Sequence, residues 1–505
     1  MLTGVDRRAA SRRLRSRDLA ADAQRLPDTQ QPAGTDLLPQ IGHIVLLMME
    51  NHSFDNYFGR LGRGDGFTLD AGGQPVNENR AQDGSAVRVH HLGSTVQQSG
   101  VPTQAWRASH LQFDDGANDG FVHSVEDAMP GRDASIPMGY WTEADLPFYA
   151  SLARTFPLAN RWFCSCLGPT FPNRRFLMAA TANGLIDDIP TGMSDYPDTG
   201  TSFDLLDRHD IEWVNYHHTK SWRTIATRIL GGGGLRSLRA LGLLASKLLP
   251  SILTTTQGNF QYTADLYPLG LVRCLRHLRT IDRFWVDAQE GTLPPVCIVD
   301  PDFQACSEEN PQDIRTGEGF AAKVIDAVMQ GKGWEHTLLI WFYDEHGGYY
   351  DHVPPPAAVE PDDVQPHSLL AAGGPIKWLV RTLGFWKKIE AIDTGGGRYD
   401  RYGMRVPAVV VSPYAKAHFV SDTVYDHASA LKLIEQKWNL PPLTKRDASA
   451  VAPLDMLSFD QPPAFLDPPR LASPAVAWPP SVPPTSAGVR LAQQAGFVGT
   501  RTVPG

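Results

Sequence analysis

The feature that most constrains the fold is a set of uninterrupted apolar runs. The first, Ile44 to Met49, has six apolar residues in succession and is followed at once by polar ones. A strand with one solvated face alternates apolar and polar positions, so a continuous run indicates a strand buried on both faces of a parallel sheet. Similar runs occupy residues 296–299, 337–342 and 406–411.

Segments with helical patterns lie beside these runs, for example Gly319 to Met329 and Ala428 to Trp438. Strands that alternate with helices predict an α/β fold, in which helices flank a mostly parallel sheet. A length of 505 residues allows one large domain of this kind with insertions, or two average domains.

Three segments depart from this alternation. Residues 1–38 are polar and rich in arginine, which predicts a loosely ordered lead-in. Residues 451–505 form a Pro-rich C-terminal extension that is predicted to run over the surface. The pattern also breaks over 217–285, which is predicted to be a helical cap insertion. The compact domain is therefore placed at 39–450.

Within this insertion, four glycines at 231–234 precede the leucine-rich segment 235–253, which carries Arg236, Arg239 and Lys247. The pattern predicts a basic amphipathic helix. In the favoured interpretation it is a cap that packs its leucines on the core. The alternative is a lid that makes peripheral contact with a membrane.

Composition excludes several classes of protein. A net charge of −9 gives no electrostatic reason to expect a nucleic-acid partner. Five cysteines in a chain this long cannot form a disulfide scaffold, and Cys164 and Cys166 are interpreted as a reduced, buried pair. No run approaches the ~20 apolar residues of a membrane span.

The first forty residues bear on localisation. They contain Arg7-Arg8, but the apolar core of a secretion signal does not follow. The chain as written is therefore expected to be cytoplasmic or peripheral to a membrane, and secreted if a leader is missing.

Oxygen-bearing side chains follow two of the predicted strands. Glu50 and Asn51 follow the first, and Asp344 and Glu345 follow the run that ends near 343. Ligand sites in open α/β sheets lie at the carboxyl ends of strands. Adjacent carboxylates are costly without a cation, and a hard divalent ion would relieve that cost. The two strand ends predict a shared metal site, and the alternatives are a capping turn and a solvated acidic turn.

A third segment contains Gly168, Pro169 and Thr170, and a helix is predicted over 172–182. Thr170 would lie at or just before the helix N-terminus, where the dipole and the backbone amides favour an alkoxide and bind phosphate oxygens. A bound metal would activate its hydroxyl further. The structural alternative is that Thr170 only caps the helix.

These segments, in this order, resemble the signature of the bacterial phospholipase C / acid phosphatase family, within the alkaline-phosphatase-like superfamily. The matching segments are 50–59, 168–174 and 343–355, with weaker matches at 405–413 and 426–435. The resemblance implies an alkaline-phosphatase-like core and a metal-dependent phosphoesterase. Its motifs span about residues 40–450.

By this resemblance, Thr170 is the nucleophile, and His110 and His352 are histidines that stabilise the transferred phosphoryl group or protonate the leaving alcohol. A structural role is the alternative for each histidine. The implied metal ligands are Glu50, Asn51, Thr170, Asp344 and Glu345. The all-oxygen ligand set suits Ca²⁺ or Mg²⁺.

Threonine rather than serine at position 170 resembles the phospholipases C of the family. The expected activity is cleavage of phosphatidylcholine-type phosphodiesters to diacylglycerol and a phospho-head group, through a phosphothreonine intermediate. The alternatives are a broad-specificity acid phosphatase acting on small phosphate esters and a non-catalytic protein that binds lipid or phosphate.

One position departs from the family pattern. The family often has an acidic-His-Pro segment before the Asp-Glu strand, whereas this chain has Asn310 before Pro311. An asparagine can donate a hydrogen bond but cannot transfer a proton at neutral pH. The group that protonates the leaving alcohol is therefore in question.

Overall fold

The computed structural model describes residues 24–188, 197–218, 275–368 and 396–479. The strands in these ranges are β1 His43–Met49, β2 Glu78–Arg80, β3 Ala86–Arg88, β4 His90–His91, β5 Gly139–Tyr140, β6 Leu158–Ala159, β7 Trp213–His217, β8 Leu278–Thr280, β9 Val296–Val299, β10 Thr337–Tyr343, β11 Ala408–Val411 and β12 Val420–Ser421. Eight of them form one sheet in the order β12-β6-β11-β10-β1-β9-β7-β8.

This sheet is mostly parallel. The neighbours β10, β1, β9, β7 and β8 all run in one direction, and β11 is antiparallel to β10 on one side and to β6 on the other. Strands β2 and β3 form a separate hairpin, and β4 pairs with β5. The predicted α/β fold with a mostly parallel sheet is confirmed.

The central strands occupy the predicted apolar runs because both of their faces are covered. Every residue of β10 is buried, and in β1 only His43 is partly exposed. The helices are α1 Phe54–Phe58, α2 Trp106–Phe113, α3 Phe121–Ala128, α4 Pro147–Thr155, α5 Thr170–Ala179, α6 Ser202–Arg208, α7 Ile281–Glu290, α8 Ile314–Met329, α9 His427–Lys437 and α10 Lys445–Ser449. Short 3₁₀ helices are Asp114–Gly116, Ile136–Met138, Leu275–His277, Trp334–His336 and Pro453–Met456.

Two helices differ from the sequence-based boundaries at their N-termini. Helix α8 begins at Ile314 rather than near Gly319, because the Asp313 side chain accepts a hydrogen bond from Arg315 N and caps an earlier turn. Helix α5 begins at Thr170 and ends where Ala180 turns into the left-handed region. Thr170 is thus the first residue of its helix.

The segments outside the predicted compact domain are described in part. The end of the predicted lead-in contacts the domain, since Asn439, just after α9, donates to the backbone of Asp28 and Gln31. Both ends of the predicted insertion belong to the main sheet, because His217 ends β7 and β8 lies beside it. Residues 219–274, including the predicted helix 235–253, lie outside the described residues.

The described part of the C-terminal extension packs against the domain. Trp334 donates its indole N–H to the carbonyl of Phe465, and Ala475 N donates to Glu318 on α8. Within the ranges that the structure describes, no helix has the length and apolar character needed to cross a bilayer.

Candidate active site

Three adjacent parallel strands bring polar side chains to one edge of the sheet. β10 is followed by Asp344 and Glu345, β1 by Glu50 and Asn51, and β9 by Asp300. All five side chains are buried. The carboxyl ends of parallel neighbours meet, so segments that are far apart in the sequence are adjacent here.

Asp344 links the ends of β1 and β10. Its Oδ1 accepts hydrogen bonds from Asn51 N at 3.1 Å and from Glu345 N at 2.7 Å. Asn51 has a φ of 71°, a conformation that is uncommon outside glycine and is often found at functional sites. Gly347 lies against it so closely that a Cβ there would be 2.0 Å from Asn51 O.

Thr170 lies beside this pair of strand ends. Its Oγ1 donates to Asn51 Oδ1 at 3.4 Å, and the residue is 5% exposed. The preceding turn is fixed by Asn173, whose side-chain amide donates to Gly168 O at 2.8 Å and Pro169 O at 3.1 Å. The Thr170 hydroxyl therefore does not act as a helix cap; it is directed at a predicted metal ligand.

Arg174, one turn after Thr170 on α5, lies between the carboxylates. It is 3% exposed, so its charge is almost fully removed from water. Such a charge is stable only where carboxylates and carbonyls surround it. Its contacts are Asp344 Oδ2 at 3.0 Å, Met49 O at 3.2 Å, Met48 O at 3.3 Å, and Glu50 Oε1 and Asp300 Oδ1 at 3.9 Å.

Arg174 and Asp300 were not predicted from the sequence as site residues. Asp300 follows the apolar run 296–299 in the same way that Glu50 follows β1, and that pattern was the available signal. Asn215 on β7 donates to Asp300 at 2.8 Å. Burial raises the pKa of Asp300 to about 6, although Arg174 and Asn215 oppose the shift.

The buried environment of the Glu345 carboxyl group favours the binding of a cation beside it. Burial, together with the charge of Asp344, raises the pKa of Glu345 well above its usual range. Its Oε2 accepts from Gly347 N at 2.7 Å, while Oε1 is buried and has no hydrogen-bond partner among the described residues. A divalent ion with oxygen ligands would offset this cost, so the donor set of the predicted metal site fits such an ion.

The predicted ligands do not form the tightest acidic cluster in the described structure. The carboxylates of Glu50 and Asp344 both lie within 4 Å of the Arg174 guanidinium group. A different group is tighter. Among the described residues, Asp55, Asp351 and His352 have potential ligand atoms that all lie within 4.8 Å of one another.

Arg405 already supplies the positive charge of this second cluster. The side chain is fully buried, and it lies 3.0 Å from Asp351 Oδ1 and 3.1 Å from Asp55 Oδ1. A metal ion beside a buried guanidinium would be repelled. We therefore interpret the cluster as a network of ion pairs rather than a metal site.

His352 belongs to this network. Its Nδ1 lies 2.6 Å from Asp55 Oδ2 and its Nε2 lies 3.2 Å from Asp65 Oδ1. Burial alone would lower the pKa of His352, but Asp55 and Asp351 raise it to about 9. The contacts described for His352 do not include Thr170 or the predicted metal ligands.

His110 contacts Trp106, which in turn packs against the turn that precedes Thr170. Its Nδ1 donates to Trp106 O at 2.8 Å. The two rings lie 4.5 Å apart, and Trp106 packs against Gly168, where a Cβ would come within 2.9 Å of the indole. His110 is thus close to the predicted nucleophile turn without bonding to Thr170 in the described contacts.

The side chain of Asn310 is held by a neighbouring loop. Its Oδ1 accepts from Gly100 N at 3.1 Å, and its Nδ2 donates to Val101 O at 3.4 Å. Both polar groups of the amide therefore bond to backbone. Asn310 supports the loop here and supplies no acidic proton.

An α/β sheet with carboxylates at adjacent strand ends and a threonine at a helix N-terminus suits the binding of a phosphate ester and a cation. The family model described as the Phosphoesterase family matches residues 41–441. The chain belongs to this family and is a hydrolase that acts on phosphoric ester bonds.

Curated relatives are similar over most of the chain. Phospholipase C B of Mycobacterium tuberculosis is 29% identical over 481 residues, which cover 86% of this chain and 81% of that protein. Hemolytic phospholipase C of Pseudomonas aeruginosa is 27% identical, over 80% of this chain and 54% of its own length. Non-specific phospholipase C6 of Arabidopsis thaliana is 27% identical, over 82% and 72% respectively.

Proposed function

We propose that the protein is a phospholipase C that cleaves phosphatidylcholine-type phosphodiesters, with Thr170 as its nucleophile. The observation that carries this proposal is the contact between Thr170 Oγ1 and Asn51 Oδ1 at the edge of the sheet. The names of the relatives, which are phospholipases C from bacteria and a plant, support a phospholipid substrate.

The reaction takes place in two displacements. In the first, the Thr170 hydroxyl loses its proton to solvent as the Oγ–P bond forms, the P–O bond to glycerol breaks, and the alkoxide takes a proton from solvent and leaves as diacylglycerol. In the second, water attacks the phosphothreonine, the Oγ–P bond breaks and the phospho-head group leaves. The positive end of the α5 dipole stabilises charge on the phosphoryl oxygens throughout.

A divalent cation, Ca²⁺ or Mg²⁺ by ligand type, is part of this proposal. Its ligands would be Glu50, Asn51, Thr170, Asp344 and Glu345. When bound, the ion would lower the pKa of the Thr170 hydroxyl and polarise the phosphoryl group. His110, near the Thr170 turn, is proposed to stabilise the phosphoryl group. His352, which lies 2.6 Å from Asp55 and 3.2 Å from Asp65, is proposed to stabilise the phosphoryl group or to protonate the leaving alcohol.

Peripheral contact with a membrane surface through 235–253 is also proposed, as a route to lipid substrate. This segment lies outside the described residues. The proposal of membrane contact rests on the sequence pattern of leucines together with Arg236, Arg239 and Lys247.

A substrate panel tests the proposed function. Phosphatidylcholine vesicles, p-nitrophenyl phosphorylcholine and p-nitrophenyl phosphate are each incubated with the protein, with chelator or with added Mg²⁺ or Ca²⁺. Release of diacylglycerol and phosphocholine from the vesicles is the expected result. Hydrolysis of the monoester alone would instead indicate an acid phosphatase, and no hydrolysis of any substrate would indicate a binding protein.

A further inference from the structure

A fully buried carboxyl group lies behind the candidate active site. Glu308 is completely shielded from solvent, and three tyrosine hydroxyl groups donate hydrogen bonds to it. Tyr57 donates to Oε2 at 2.5 Å, Tyr149 donates to Oε1 at 2.6 Å, and Tyr343 also donates to Oε2. A buried carboxylate is costly without such donors, so the three phenols and the carboxyl group stabilise one another.

The backbone of Glu308 is strained as well. Its φ is 78°, in the left-handed region that residues with a side chain seldom adopt. The neighbouring helix α8 accommodates the side chain with Gly317, where a Cβ would lie only 2.1 Å from Glu308 Cγ. Strain of this kind persists only where the surrounding structure enforces it, and it is concentrated at functional sites.

The loop that contains Glu308 contacts the end of β1. Glu50 N donates to Ser307 O at 3.0 Å, so the backbone of a predicted metal ligand is tied to this loop. The carbonyl of Glu308 accepts from Gln97 at 2.5 Å and lies 3.2 Å from His52 Nε2. The loop is therefore fixed both by the backbone hydrogen bond from Glu50 to Ser307 and by the hydrogen bonds of Glu308.

The three phenols come from elements that also border the site. Tyr343 is the last residue of β10 and directly precedes Asp344, and Tyr57 lies on α1, shortly after Asn51. Tyr149 comes from α4. The Glu308 carboxyl group thus joins both strand ends that carry predicted ligands.

We propose that Glu308 is a positioning residue for phosphoester hydrolysis: clamped by three tyrosine hydroxyls, it fixes the loop 307–310 and thereby places the Glu50 backbone and the Asn310 side chain. This inference rests on the function proposed above. Glu308 acts through its neighbours and does not touch the substrate.

A second buried carboxyl group provides a matched control. Glu318 on α8 accepts hydrogen bonds from Phe148 N at 2.8 Å, Tyr149 N at 3.2 Å and Ala475 N at 3.1 Å. It joins helix α4 to the C-terminal segment, and its described hydrogen bonds do not include the ends of β1 and β10. Glu308→Gln and Glu318→Gln replace the same carboxyl group by an amide in similarly buried places.

The experiment compares these two variants with the wild-type protein in steady-state kinetics on p-nitrophenyl phosphorylcholine, thermal unfolding and hydrogen exchange. Glu308→Gln is expected to lower kcat by about 10- to 100-fold with KM within about 2-fold, because a small displacement of site groups affects turnover more than binding. The Glu50 amide should exchange faster. Glu318→Gln should lower Tm but keep kcat and the exchange of the Glu50 amide within about 2-fold of wild type, because Glu318 bonds to the backbone of Tyr149 and not to its hydroxyl.

Tyr57→Phe removes one donor and keeps the carboxyl group, and it replaces Glu308→Gln if that variant does not fold. The same loss in kcat, of smaller size, is then expected. Wild-type kcat and Glu50 exchange in a folded variant of either kind would overturn the inference. If the wild-type protein hydrolyses nothing, the proposed function fails, and the exchange of the Glu50 amide still decides whether Glu308 positions the loop.

Discussion

Thr170 Oγ1 lies 3.4 Å from Asn51 Oδ1, although 119 positions separate the two residues in the chain. The contact places the first residue of α5 against the end of β1. It matters because a hydroxyl group next to an oxygen ligand can share a cation with that ligand, and a shared cation makes the hydroxyl a better nucleophile.

Thr170→Ala is expected to lower kcat by about 10³-fold or more, because it removes the attacking oxygen. The free energy of unfolding should change by less than about 1 kcal/mol, since the hydroxyl makes one long hydrogen bond. Urea unfolding and phosphocholine release measure the two quantities. Thr170→Ser is the matched control and should retain turnover, whereas near-native activity of Thr170→Ala would exclude Thr170 as the nucleophile.

Glu345→Gln is expected to lose the divalent ion that we propose for this site, as measured by elemental analysis of the purified protein. Glutamine keeps the shape but lacks the charge that holds the ion. Glu435 on α9 is another fully buried carboxyl group whose pKa is raised well above its usual range by burial and by Asp447, so Glu435→Gln is the control. An equal metal content in wild-type protein and Glu345→Gln would contradict the ligand set.

Arg174→Met should destabilise the protein by about 3–5 kcal/mol, because the variant leaves buried carboxylates without their counter-charge. Arg174→Lys keeps the charge and should cost less, although it loses the forked geometry that reaches Asp344 and the carbonyl of Met49 together. Urea unfolding in the presence of chelator measures both. If the two variants were equally stable, the charge of Arg174 would not be what holds the carboxylates.

His352 should make the stability of the protein depend on pH. The pKa of His352 in the folded protein is raised to about 9, above its value in the unfolded chain. Its contribution is therefore complete below the unfolded pKa, near 6.5, and is lost as the pH rises through about 9.

The Tm difference between wild-type protein and His352→Gln tests this. It should be largest at pH 6 and should shrink towards pH 9.5. A difference that stays constant over this range would show that His352 is not held as a cation by Asp55 and Asp351.

Asn310→His should restore the proton donor that the family pattern contains at this position. The expected gain in kcat is about 10-fold for phosphatidylcholine, whose alkoxide leaving group needs a proton. Little change is expected for p-nitrophenyl phosphorylcholine, because nitrophenolate leaves without one. A gain of equal size for both substrates would indicate that the substitution acts through the loop at Gly100 and Val101 instead.

The order of structural elements could be read largely from the chain itself. Runs such as 44–49 and 337–342 are continuous and apolar, and such runs are stable only in the middle of a covered sheet. The helix boundaries could be predicted less accurately from the sequence. The start of α8, for example, depends on one hydrogen bond to the side chain of the Asp313 cap. The segment 235–253 lies outside the described residues, and its role remains a prediction.

The residues of the candidate site also divide into those that the sequence identifies and those that only the structure identifies. Glu50, Asn51, Thr170, Asp344 and Glu345 could be selected because each follows a strand or starts a helix, and these are local properties of the sequence. Arg174 and Glu308 could not be selected, because their importance lies in partners that are distant in the chain. His352 was selected by its motif, yet the structure places it with Asp55 and Asp65.

By itself, the sequence determined which segments become buried strands and which polar residues stand at their ends, since hydrophobic periodicity and turn chemistry act over a few neighbouring residues. Only the tertiary structure decided which charges face one another: Arg174 lies among Asp344, Glu50 and Asp300, and three tyrosines surround Glu308. Electrostatic and hydrogen-bond energies depend on distance and burial in space, and the separation of residues along the chain does not reveal either.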